Sequence, residues 1–182
     1  MDSNLIKKCK NGDISSFEIL VNEYSRKVYN IVFRIIGNEE DTKDISQEVF
    51  IKIYKKIKTF KEQSELSTWI YRIAVNCAKD HLKKRKENIF VHDFNQSQNN
   101  MLSNEDIPED NVESKENTEI LINALDRLKQ EQREIIVLKD IQDFTYEEIS
   151  KILKISLGTV KSRLSRSRVR LRSILLEMDD CF

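Results

Sequence analysis

An all-α fold of two small helical domains joined by a flexible acidic linker is what this sequence predicts, and three observations carry the prediction. Apolar residues recur at three- and four-residue spacing through most of the chain, as in helices that bury one face. The sequence has three glycines and one proline in 182 residues, which suits helices with few tight turns. The period lapses between Asn88 and Asn117, where NIFVHDFNQSQNNMLSNEDIPEDNVESKEN is rich in Asn, Gln, Ser and acids and holds the lone proline, Pro108. Such a stretch reads as a linker, and it divides the chain into residues 1–88, a linker at 89–117 and a second domain at 118–182.

The first core helix follows Asp13, a candidate N-cap, with Phe17, Val21, Tyr24, Val28, Ile31 and Ile35 on its buried side and Gly37-Asn38 as its stop. The next begins near Asp41. Its apolar side is Ile45, Val49, Phe50, Ile53 and Ile57, while Asp41, Asp44 and Glu48 project elsewhere with Gln47 at the margin. Acids at a helix start complement the macrodipole; here they also make a surface for docking a protein.

From Lys58 to Leu66 the period is lost, so a polar and basic loop is expected around Phe60, with Ser67 capping the helix STWIYRIAVNCAKDHLKKRK. Ile70, Ile73, Ala74 and Cys77 face its core, and Arg72, Asn76, Lys79 and Lys83 line the far side. A row of donors flanked by the aromatics Phe60, Trp69 and Tyr71 fits unstacked single-stranded bases and their backbone. Trp69 fits a place in the core equally well.

After the linker the period returns with Ile120, Leu121, Ala124, Leu125 and Leu128, then QEQREIIVLKD. From Thr145 the sequence reads as two helices with a tight turn. Thr145 and Glu148 form a capping box, Ile149, Ile152 and Leu153 face inward, Lys154 and Ile155 make the turn, and Ser156 is the second cap. The second helix buries Val160, Leu164, Leu171 and Leu175 and leaves Gly158, Thr159, Ser162, Ser165 and Arg166 wet, flanked by Lys161, Arg163, Arg168, Arg170 and Arg172. No Asp or Glu occurs from Lys151 to Arg172. A small-residue face in a positive field is what a helix-turn-helix needs to enter the major groove between phosphate ridges.

Lys plus Arg and Asp plus Glu both number 31, so net charge says nothing while its distribution says much: bases gather in two places with acids between. No apolar run approaches the roughly 20 residues that span a bilayer, and the N-terminus lacks the apolar core of a secretion signal; a cytoplasmic location is expected. Cys9, Cys77 and Cys181 show no metal-ligand or disulfide spacing and read as reduced thiols. Cys77 and His81 share a helix face, but two ligands make no metal site, and a structural role is expected for both. No catalytic triad, phosphate-cradling glycine loop or cofactor motif occurs, so neither catalysis nor a cofactor is expected.

Three segments in order, DTKDISQEVFIKIY, TFKEQSELSTWIYRIAVN and LKQEQREIIVLKDIQDFTYEEISKILKISLGTVKSRLSRSR, resemble the polymerase-clamp, promoter-melting and upstream-element motifs of bacterial RNA polymerase sigma factors, specifically the short extracytoplasmic-function group. They cover most of residues 10–172, and at that length the middle domain and acidic N-terminal extension of housekeeping members are not expected. The resemblance implies that Asp41, Asp44, Gln47 and Glu48, with Val49 and Phe50, dock on the clamp coiled coil of the polymerase's largest subunit, while the second domain meets the flap of the second-largest. It implies that Phe60, the loop from Lys61 through Ser64 to Ser67, and Asn76 receive a flipped base of the minus-10 element, an event that needs an apolar wall and edge-reading side chains. It places Lys139, Thr159, Lys161, Ser162, Ser165 and Arg166 on minus-35 duplex; Ser165 is small where many relatives carry a bulkier residue. Promoter DNA and an anti-sigma factor, membrane-anchored in many such systems, are the other implied partners.

Overall fold

The computed structural model describes residues 3–92 and 112–179 of the chain. Eight α-helices and no strand occur among the described residues: α1 (Ser3–Lys10), α2 (Ile14–Ile36), α3 (Glu39–Lys56), α4 (Leu66–His92), α5 (Val112–Asp126), α6 (Gln130–Ile136), α7 (Tyr146–Leu153) and α8 (Leu157–Asp179). A 3-10 turn at Ile57–Thr59 follows α3, and a π-helical turn at Val137–Ile141 follows α6.

The helix ends follow from local chemistry. Asp13 caps α2 by accepting the Ser16 N–H at 3.2 Å. Gly37 ends it at φ 76°, a left-handed conformation that glycine adopts without a Cβ penalty, and donates its N–H to the Phe33 carbonyl. Asn38 then caps α3, accepting the Asp41 N–H at 2.8 Å, so this helix begins at Glu39, two residues before the expected Asp41. Ser67 is not a cap: α4 starts at Leu66, and the carbonyl of Glu65 accepts the first helical bond, from Trp69. α1 was not expected from the sequence; Ile6 and Cys9 bury its inner side.

The buried faces are largely those the spacing predicts: Tyr24, Val28, Ile31 and Ile35 on α2, Ile45, Val49 and Ile53 on α3, and Ile70, Ala74 and Cys77 on α4. α4 is buried on a second side as well, through Tyr71, Val75 and Ala78. The reason is that α7 packs on it, as the π turn and α6 pack on α2. One continuous buried cluster therefore runs from Ile6 to Ile174 through both halves of the chain. The two halves, whose relative placement the sequence leaves open, share a core. α4 continues to His92 and α5 begins at Val112, so the expected linker is narrowed from both sides and its middle, 93–111, lies outside the described residues.

Candidate nucleic-acid interface

The turn between α7 and α8 is built as the sequence predicts. Thr145 Oγ1 accepts the Glu148 N–H at 3.2 Å, and Glu148 Oε2 accepts the Thr145 N–H at 2.8 Å. Lys154 takes a left-handed conformation at φ 56°, and the Ser150 hydroxyl ties the turn by donating to the Ile155 carbonyl at 2.6 Å. Ser156 Oγ accepts the Thr159 N–H at 3.1 Å and caps α8. Val160, Leu164 and Ile174 anchor α8 in the core, with Leu171 and Leu175 half-buried beside them. Lys161, Ser162, Ser165 and Arg166 stand exposed and Thr159 half-exposed. Arg166 donates through Nε to the Ser162 carbonyl at 3.1 Å. Its guanidinium thus lies along the exposed face with further donors to offer.

A groove of about 540 Å³ adjoins this face, with Thr159, Arg163 and Arg166 on one wall and Gln130 and Glu131 at the start of α6 on the other. The field is less one-sided than the sequence of α8 alone indicates. Arg163 pairs with Glu131 at 3.0 Å, Arg168 with Asp140, and Arg170 with Glu177 at 3.7 Å. Lys139 is held by Asp143 at 2.9 Å, an arrangement that raises the lysine's pKa and lowers the carboxyl's.

On the other half, Phe60, Lys61, Ser64, Trp69 and Arg72 come together on one cleft of about 410 Å³. Asn76 stands exposed further along α4. The expectation that Phe60 offers an open aromatic face is corrected, and of the two readings open for Trp69 the structure favours the core: the two rings are 5% and 8% exposed, their centroids lie 5.3 Å apart, and Lys10 sits over Phe60 at 5.6 Å. Both still line the cleft. The row Arg72, Asn76, Lys79 and Lys83 is divided as well. Lys79 Nζ donates to Glu134 Oε2 at 3.2 Å, while Lys83 lies at a separate 330 Å³ cavity with Cys77, Asp80 and His81.

Sequence reasoning missed two sets of residues here. Ser150, Lys151 and Lys154 form the far wall of the cleft, and Glu134 lies wholly buried against Lys79. A carboxylate inside the apolar run EIIVL was the one available signal for the second.

On α3, Asp44 and Gln47 are exposed. Asp41 faces His81 at 3.3 Å and Arg85 at 3.9 Å, and Glu48 pairs with Lys52 at 2.7 Å. Val49, expected among the docking residues, is fully buried and can act only from beneath the surface; Phe50 is half-buried. Lys52 also donates to Cys77 Sγ at 3.4 Å. Burial pushes the Cys77 thiol up and outweighs the pull of Lys52 toward the thiolate. Cys9 and Cys77 are free and buried, no group of three or more metal-ligand side chains occurs among the described residues, and Cys181 lies outside them.

Fold and site together define an all-helical protein in which a helix-turn-helix is packed against a second, cationic helical unit. The model for Sigma-70 region 2 matches residues 20–88 and that for Sigma-70, region 4 matches residues 118–171. The chain is 34% identical to the ECF RNA polymerase sigma factor SigW of Bacillus subtilis (strain 168), over 95% of this chain and 96% of that protein. It is also 34% identical to an ECF RNA polymerase sigma-E factor of Haemophilus influenzae, over 92% of this chain and 91% of that one. Two solved structures share the fold. CnrH in complex with the cytosolic domain of CnrY has a TM-score of 0.71 at 21% identity and 96% coverage of both chains. The sigma factor RpoE with the anti-sigma factor NepR, from Bartonella quintana, has a TM-score of 0.72 at 23% identity, over 87% of this chain and 96% of that one. The chain belongs to the ECF RNA polymerase sigma factors, which are promoter-directing, non-enzymatic initiation factors.

Proposed function

We propose that this chain docks on core RNA polymerase through α3, reads minus-35 duplex with α8 and traps melted minus-10 bases at the α4 cleft. The observation that carries the reading is the face of α8. Two caps and a pinned turn hold Lys161, Ser162, Ser165 and Arg166 exposed on a helix whose opposite side is core. Lysine and arginine there fix register on phosphate, and the small side chains let the helix approach base edges. Trapping bases that have left the stack shifts the duplex-open equilibrium by the chain's preference for the open form, with no ATP.

Residues 1–88 form the clamp-docking and minus-10 unit and residues 118–182 the minus-35 unit, which also meets the flap. On α3 the docking contacts are Asp44 and Gln47, with Asp41, Glu48 and Phe50 at the margins. The protein works in the cytoplasm, in keeping with the lack of any described helix long and apolar enough to cross a membrane. An anti-sigma factor controls it, membrane-anchored as in many such systems; the anti-sigma partner in the Bartonella quintana structure supports the control itself.

The test is reconstitution: sigma-free core polymerase, this chain and a genomic promoter library, with transcript ends mapped. Discrete starts sharing two upstream elements are expected, and they should vanish with Asp44→Arg while circular dichroism stays unchanged. Random starts, or starts unaffected by that substitution, refute the corresponding assignment.

A further inference from the structure

The loop from Phe60 to Glu65, at the rim of the α4 cleft, carries few bonds of its own. Phe60 closes the 3-10 turn by donating its N–H to the Ile57 carbonyl at 3.1 Å, and the Glu65 carbonyl accepts the Trp69 N–H at 3.2 Å. Between them, residues 61–64 make no backbone hydrogen bond among the described residues. Glu62, in the middle, sits at φ 58°. That left-handed conformation is disfavoured for a residue with a side chain and persists where the surroundings hold it.

What holds it comes from α1. Lys10 Nζ donates to Glu62 Oε1 at 2.6 Å, and the same ammonium lies 5.6 Å from the centre of the Phe60 ring, within the distance at which cation and ring attract. The bond from Lys10, with Lys7 further off, keeps the Glu62 carboxyl below its ordinary pKa. Lys10 is itself fixed in place: its neighbour Cys9 and, a turn earlier, Ile6 are buried, and α1 packs on both α2 and the 3-10 turn.

The kink sorts the side chains of the loop. Lys61, Gln63 and Ser64 line the cleft with Phe60, Trp69 and Arg72, whereas Glu62 between them reaches back to α1. Were Glu62 to leave the left-handed region, the peptide planes on either side would turn and its neighbours would no longer converge.

We propose that Lys10 is a positioning residue for the minus-10 site: by holding Glu62 and covering Phe60, it keeps the loop in the shape in which Lys61, Gln63 and Ser64 meet the edge of an unstacked base. The proposal rests on the base-trapping role argued above for the cleft, and adds a residue that is not part of the cleft lining. Its consequence is for selectivity more than for grip. Arg72 holds a strand through phosphate whatever the loop does, while contacts to base edges need the loop in register. A partly exposed ion pair contributes little to global stability, so the tie can be cut without unfolding the chain.

The test uses the full-length chain bound to core polymerase. It is offered a pool of single-stranded DNA dodecamers of random sequence, and the bound fraction is sequenced. Wild type should enrich a short motif. Lys10→Met, which keeps the stem without the charge, and Glu62→Gln should each lower that enrichment about tenfold, the discrimination that one good base contact supplies. The double variant should lose no more than either alone, as expected of two residues acting through one contact. Lys10→Arg keeps the cation and should retain the motif. The two single variants change net charge in opposite directions, so a general electrostatic effect would move their total binding apart, whereas lost positioning weakens the motif in both. Emission from Trp69, the sole tryptophan, whose ring lies 5.3 Å from that of Phe60, should shift in Lys10→Met while the melting temperature holds.

Should Lys10→Met prove unstable, Glu62→Gln, at an exposed loop position, carries the test. The motif at full strength in the single variants, losses that add in the double, or weaker total binding with the motif unchanged would each overturn the role of Lys10. A wild-type complex that enriches no motif would overturn the base-trapping reading itself, and this proposal with it.

Discussion

Glu134 is the residue at which the energetics of the molecule are most exposed to measurement. Its carboxylate is buried among core neighbours, and burial raises its pKa above the ordinary value of 4.5, outweighing the opposite pull of Lys79, Gln130 and Arg163. An acid whose pKa is raised on folding contributes most below its unfolded value and loses that contribution as pH rises through the folded one, about 1.4 kcal/mol for each tenfold change in its ionisation constant. Glutamine keeps the shape without the charge, and Lys79, partly open to water, can be solvated instead. The melting temperature of wild type minus that of Glu134→Gln should therefore be highest near pH 4.5 and fall toward pH 7. A difference that grows with pH means that attraction to Lys79 outweighs burial. At this scale the sequence was informative where chemistry is local, as at Asp13, Thr145 and Ser156. It was silent on Arg163, Arg168 and Arg170, whose acidic partners Glu131, Asp140 and Glu177 are supplied by tertiary placement or the last turns of α8.

Among the elements, α7 depends most on its ends. With eight residues it is too short to be stable alone, and its position follows from Ile149 and Ile152 in the core and the reciprocal Thr145–Glu148 box. Thr145→Ala removes an acceptor for the first-turn amides and should lower stability by about 1 kcal/mol. It should also weaken minus-35 duplex binding, because α7 sets the angle of α8. Urea unfolding and duplex titration check the two effects, and an unchanged denaturation midpoint would show that the box is dispensable. The helices themselves were largely legible from three-four spacing, and the turn at Lys154-Ile155 from the caps on either side. α4 shows where that reading stops. Tyr71, Val75 and Ala78 form a second apolar stripe beside Ile70, Ala74 and Cys77, a pattern that means burial on two sides. Treating Tyr71 only as a base-stacking aromatic hid the second partner. Trp69 was open to both readings and Phe60 was read only as a base-facing ring, because an aromatic near a basic row looks alike in sequence whether it meets a base or another ring.

At the scale of the whole molecule, periodicity tells which face of a helix is buried but not against what. The contact from Arg133 to Ile35 joins residues 98 apart in sequence, across a stretch whose composition reads as a tether, so the packing of the two halves on each other was beyond the pattern. Its thermodynamic consequence follows from the continuous core. The second half has few residues and a modest core of its own, and it borrows stability from α2 and α4 through Phe144, Arg133 and Glu134. Such coupling makes the halves melt together. Calorimetry on the wild type should show one endotherm whose van't Hoff and calorimetric enthalpies agree. Glu134→Lys, by forcing like charges together at the junction, should split it into two, with the helix-turn-helix half melting first. Two endotherms in the wild type would mean that the junction carries too little energy to couple the halves, and the shared core would then be a contact without cooperativity.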